Sequence, residues 1–267
     1  MAVVIREAVA GRLTSKGNRM KRALIRVLTA AAVAAALVVG STVPANAQSA
    51  KPNVDVGTVV AVIKQIYSIY QQFLGGGSGL TLPQAVQQIE AQIDAARTAI
   101  INEIDLVAAA NVQSCAQSAV VNFQDINALS PDNLQVYALA MTDCVTQANS
   151  LLGAVTDKAA IDEIGFAMNT VGPLALIARL KAGLTTPALK SVLVAGDNTL
   201  ISSLLPTCRR INEGDPDHPF FEWDCIAYNG NEAEIWVNAK NALVTSQDYA
   251  TANTSRAVAQ AAIPTLG

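Results

Sequence analysis

The chain has 267 residues, 51% of them apolar and only 15% charged, with a formal net charge of −3. That apolar share supports a sizeable core and excludes disorder over the whole length. The one histidine, His218, excludes multi-histidine metal sites and the HExxH zinc-protease pattern.

The first organised segment is a leader over residues 20–47. Met20, Lys21, Arg22 and Arg26 form a basic start, and residues 27–40 are uncharged and apolar. Pro44 and Ala45-Asn46-Ala47 then match a small-residue cleavage site, which predicts a secretory signal peptide cut after Ala47. Fourteen apolar residues are short for a membrane span of about 20. The leader resembles those of proteins exported by high-GC Gram-positive bacteria. Residues 1–19 read as an upstream extension or a misassigned start. The leader and that extension hold seven of the 18 basic residues and one of the 21 acids, so the exported chain keeps 11 and 20, a net charge of −9. Such a chain is repelled by nucleic-acid phosphates and anionic headgroups, so no nucleic-acid partner is expected.

Residues 48–55 read as a flexible start, 56–205 as a helical bundle, 206–230 as a disulfide-closed hairpin and 231–267 as a C-terminal helical segment on the bundle. The first helix is predicted over 56–74, where Val56, Val59, Ile63, Ile66, Tyr70 and Phe73 form an apolar seam. Gly75 to Gly79 ends it as a pliable connector. Thr81 and Gln84 then make a capping box. From there the periodicity runs to about Ile126, which predicts one helix of about 45 residues, roughly 67 Å long, with room for a kink near Asn111. That length implies an elongated antiparallel bundle or coiled-coil-like hairpin.

Four cysteines in an exported chain predict two disulfides. Cys115 and Cys144 are symmetric about a helix breaker at Leu129-Ser130-Pro131, so two antiparallel helices would place them level. Helices follow over about 131–153 and after Thr156, the second with early acids Asp157, Asp162 and Glu163. Gly172-Pro173 is expected to break or kink it, and residues 184–205 suggest one or two short buried helices. Cys208 and Cys225 flank a turn signal from Glu213 to Pro219. Alternation at Phe221, Trp223 and Cys225 favours a β-hairpin, with an irregular loop closed by the same bond as the alternative. In the hairpin, Arg209 would face Asp224 as an ion pair, and Arg210 would face Trp223 as a cation–π pair. Residues 231–244, carrying Trp236, and 246–262 are predicted helical. The fold class is therefore mostly all-α, with a small disulfide-closed hairpin in the C-terminal third.

No catalytic set, cofactor or metal site is expected. The cysteine spacings match no zinc motif. His218, between two prolines, reads as a surface turn residue. Asn212, Glu213, Asp215, Asp217, Glu222 and Asp224 carry calcium-type oxygens, but without an EF-hand pattern they read as a solvated acidic tip. Phe220, Phe221, Trp223 and Tyr228 place four of twelve aromatics within nine residues, beside Arg209 and Arg210. Those six residues are the candidate contact surface, with a local mini-core as the competing reading. The uncharged stretches 106–124 and 164–178 raise a membrane-active alternative, although polar residues interrupt the first. The expectation is a secreted bacterial protein, non-enzymatic, acting through a protein partner or cell-surface component. A pore-forming helical protein and a secreted hydrolase are the alternatives.

Overall fold

The computed structural model describes residues 56–74, 79–218, 220–238 and 240–267. The signal peptide with its Ala47 cleavage point, the segments 1–19 and 48–55 and connector residues 75–78 lie outside them. Among the described residues there are eight helices and one small sheet: α1 (Val56–Leu74), α2 (Leu82–Ile104), α3 (Ala110–Phe123), α4 (Pro131–Leu152), α5 (Lys158–Lys181), α6 (Pro187–Ser203), β1 (Thr207–Asn212), β2 (Phe221–Ile226), β3 (Glu232–Trp236), α7 (Ala242–Ala250) and α8 (Ser255–Leu266).

The bundle is built around α5. From Ile164 to Ala178 every residue of α5 is buried, and it packs on α1, α2, α3, α4, α6 and α8. The expected break at Gly172-Pro173 does not occur: α5 runs through Pro173 for 24 residues. A proline inside a helix costs about 3 kcal/mol, and burial of Val171, Leu174, Leu176 and Ile177 around it offsets that cost. Gly172 lets its neighbours close in, since a Cβ there would lie 2.9 Å from the Tyr67 hydroxyl.

The expected 45-residue helix is two. α2 ends at Ile104 and the chain turns over residues 105–109 before α3 begins. Polar bonds then hold α3 back along α2. Arg97 donates to Gln124 Oε1 (2.7 Å), Asn127 to Glu90 Oε1 (3.0 Å) and Gln113 to the Asp105 carbonyl (3.1 Å). Gln124 also bonds Asp94, and Gln117 bonds Asp105. No Pro or Gly marks this turn in the sequence, so the break is made by packing and not by a local stop signal.

The next fold-back is as predicted. Ser130 caps α4 by accepting from the Asn133 N–H, with Pro131 as its first residue. The Cys115–Cys144 disulfide joins α3 to α4 with Cα atoms 5.7 Å apart, and Tyr137 donates to the Ala119 carbonyl at 2.6 Å. Asp157 caps α5 by accepting from the Ala160 N–H at 2.9 Å. Within residues 184–205 the chain forms one helix, α6 (Pro187–Ser203). The segment 231–244 departs from its predicted helix: Glu232–Trp236 is a strand, and only from Ala242 does the chain turn helical.

Candidate functional site on the outer face of the small sheet

The three strands are antiparallel in the order β1-β2-β3. The hairpin register is the one predicted, with Cys208 opposite Cys225, Arg209 opposite Asp224 and Arg210 opposite Trp223. The Cys208–Cys225 disulfide closes it, Cα to Cα 4.1 Å. β3 adds on the far side, placing Glu234 opposite Asp224 and Trp236 opposite Glu222.

Strand alternation sorts these residues onto two faces. One face carries Cys208, Cys225 and Ala233 and packs on Leu243 and Ala250 of α7. The Ser246 hydroxyl of α7 reaches the carbonyls of Ala233 (2.6 Å) and Trp223 (3.1 Å), pinning the helix across two strands. The outer face carries Arg209, Glu222, Asp224, Glu232, Glu234 and Trp236. Four carboxylates and one guanidinium leave it strongly acidic.

Asp224 lies at its centre with a fully buried side chain. Arg209 donates from Nε to Asp224 Oδ2 at 2.6 Å, as predicted, while its own side chain remains 68% exposed. Asp224 Oδ1 is buried and has no hydrogen-bond partner. One carboxylate oxygen from each of Asp224, Glu232 and Glu234 lies within 4.8 Å of the other two. The Asp224 carboxylate beside Glu232 holds the Glu232 carboxyl above its usual value, and Glu234 adds to the effect. Glu222 is raised by partial desolvation and by neighbouring Glu234.

The six candidate contact residues do not form one patch. Arg209 is on the outer face. Arg210 stacks over the Phe221 ring at 4.0 Å, not over Trp223 as expected, because the diagonal neighbour on the same face lies closer to its guanidinium. Phe220 packs against Trp236 with ring centroids 3.5 Å apart. Tyr228, in the β2–β3 turn, donates to Asp162 Oδ2 at 2.6 Å and so ties the sheet to α5. Trp236 itself, 58% exposed, is an outward aromatic that the helical reading of its segment hid. Part of the signal was present: Glu232-Ala233-Glu234-Ile235 alternates polar and apolar with period two, and Trp236 breaks the pattern.

The hairpin tip is built from its own acids. Asp215 Oδ1 accepts the backbone N–H groups of Asp217 (2.9 Å) and His218 (2.7 Å), and Asn212 Oδ1 accepts that of Gly214 (3.1 Å). His218 Nδ1 stands 3.3 Å from the same Asp215 carboxylate, with both side chains exposed. These groups shape a turn. A surface cavity near 530 Å³ lies apart from the sheet, between Lys64, Asp248, Tyr249 and Gln260. The apolar stretch 164–178 is the middle of α5, the one described helix long and apolar enough to cross a membrane, and 89% of that helix's apolar window is buried in the fold. Compared with protein-family models, curated proteins and solved structures, the chain matches none.

Proposed function

We propose that this is an exported, disulfide-stapled helical protein that acts by contact with a protein partner or a cell-surface component, and that the outer face of its small sheet is the contact surface. The carrying observation is Trp236. It is more than half exposed, packed on Phe220 and flanked on the same face by Glu222 and Glu234. Large aromatics at a rigid, exposed position are the usual anchors of interfaces. The sheet is rigid because the disulfide, the Arg209–Asp224 pair and Ser246 fix its three strands and the helix behind it. The two disulfides suit an oxidising compartment, which supports the exported reading. Capture from the secreted fraction and from cell envelopes with the oxidised chain, compared with its Trp236→Ala variant, tests the proposal. A component held by the wild type and lost with the variant is expected. An identical captured set for both proteins overturns it.

A further inference from the structure

We propose that Asp224, Glu232 and Glu234 form a calcium site on the outer face of the sheet.

Three observations carry it. The carboxylate oxygens of the three residues converge to within 4.8 Å of one another, a spacing that a single ion can bridge. Like charges this close repel, so the arrangement calls for a cation between them. Asp224 is fully buried and its Oδ1 lacks a hydrogen-bond partner, and an unmatched buried carboxylate oxygen is costly. Arg209 satisfies only Oδ2. Its single positive charge also acts on Glu232 and Glu234, both exposed, so three carboxylates share one guanidinium.

The donor chemistry selects the ion. All three ligands are hard carboxylate oxygens, with no imidazole or thiolate, which disfavours zinc and copper. Calcium accepts irregular oxygen sets at 2.3–2.6 Å and completes its shell with water, whereas magnesium demands near-ideal octahedral geometry. Ligands projecting from two neighbouring strands offer an open, irregular set of the first kind. The sheet holds the ligands in place without the ion, because the β2–β3 ladder sets Asp224 opposite Glu234 and places Glu232 two residues along. Binding would offset the repulsion among the carboxylates, clamp β3 onto β2 and stiffen the strand that carries Trp236.

The inference stands independently of the contact reading, and Trp236→Ala separates the two: that variant keeps the calcium response while losing the partner. The test is titration of the EDTA-treated, oxidised full chain with calcium chloride at pH 7.5. Heat and tryptophan fluorescence are both recorded. One saturable site per chain is expected, with magnesium chloride binding at least about tenfold more weakly. Glu232→Gln and Glu234→Gln sit at exposed positions and keep the fold. Each is expected to weaken calcium binding about 10- to 100-fold, as removal of one charge beside a divalent ion requires. The tip variant Asp217→Asn is expected to bind as the wild type does. Absence of saturable binding, equal affinity for both metals, or undiminished binding by the Gln variants overturns the site.

Discussion

Asp197 shows how much one buried side chain can set the solution behaviour of this bundle. It lies in α6, fully buried against α5. Asn169 donates to its Oδ1 at 2.9 Å, and Tyr67 of α1 donates to Asn169 at 3.1 Å, while Oδ2 has no hydrogen-bond partner. Burial pushes the Asp197 carboxyl up to about 7, against the opposing pull of Asn169. The folded protein therefore holds a proton that the unfolded chain has released above its ordinary value of 3.8. The contribution of this group is full below about pH 4, falls as pH rises to about 7 and is flat above it. Asp197→Asn removes the ionised form. It is expected to stabilise the fold by about 1–3 kcal/mol at pH 8, with the advantage shrinking toward pH 4. Thermal melts of both proteins across that range check this, and equal melting temperatures at pH 8 would contradict it.

Among the elements, α8 depends on a carboxylate borrowed from α5. Asp162 Oδ1 accepts both the Ser255 N–H and the Ser255 hydroxyl at 2.6 Å, so it serves as the N-terminal cap of α8 from another helix. Its other oxygen takes the Tyr228 hydroxyl. One side chain thus joins α5, α8 and the β2–β3 turn. Burial raises its carboxyl while the three bonds pull it back. Asp162→Ala is expected to cost about 2–4 kcal/mol, since it orphans the two buried Ser255 donors and releases Tyr228, and Tyr228→Phe about 1 kcal/mol. Chemical denaturation reads both. Close approach of the same helices rests on Gly165. A Cβ there would run into the Ser255 hydroxyl and lie 2.5 Å from Leu200. Gly165→Ala is expected to destabilise by about 1–3 kcal/mol through overpacking, despite the better helix propensity of alanine.

For the whole molecule the two disulfides have separate jobs. Cys115–Cys144 staples α3 to α4 within the main core, and Cys208–Cys225 closes a sheet whose own apolar cluster is small. Each contributes about 2–4 kcal/mol. Replacing Cys115 and Cys144 by serine is expected to lower the melting temperature of the bundle. Replacing Cys208 and Cys225 is expected to release protection in β1 to β3 while the bundle helices keep theirs. Hydrogen exchange distinguishes the two outcomes. Loss of bundle protection in the second variant would show that the sheet supports the core instead of resting on it.

The local chemistry of the chain was sufficient for the cap at Ser130, the α3–α4 fold-back, both cysteine pairings and the Arg209–Asp224 pair. Each is a short-range arrangement in which residue type and spacing state the geometry directly. Three features escaped that logic. The turn at 105–109 has no breaker residue and exists because α3 gains polar bonds and a core face by lying back on α2. Pro173 stays inside a helix because the surrounding core buries the residues on both sides of it. The strand at 232–236 forms because β2 offers it an edge, and with it come Trp236, Glu232 and Glu234, the residues on which the candidate site depends. Periodicity records which face of a segment is apolar. Whether that segment turns, continues or pairs is decided by the neighbour it meets, and that neighbour is distant in the chain.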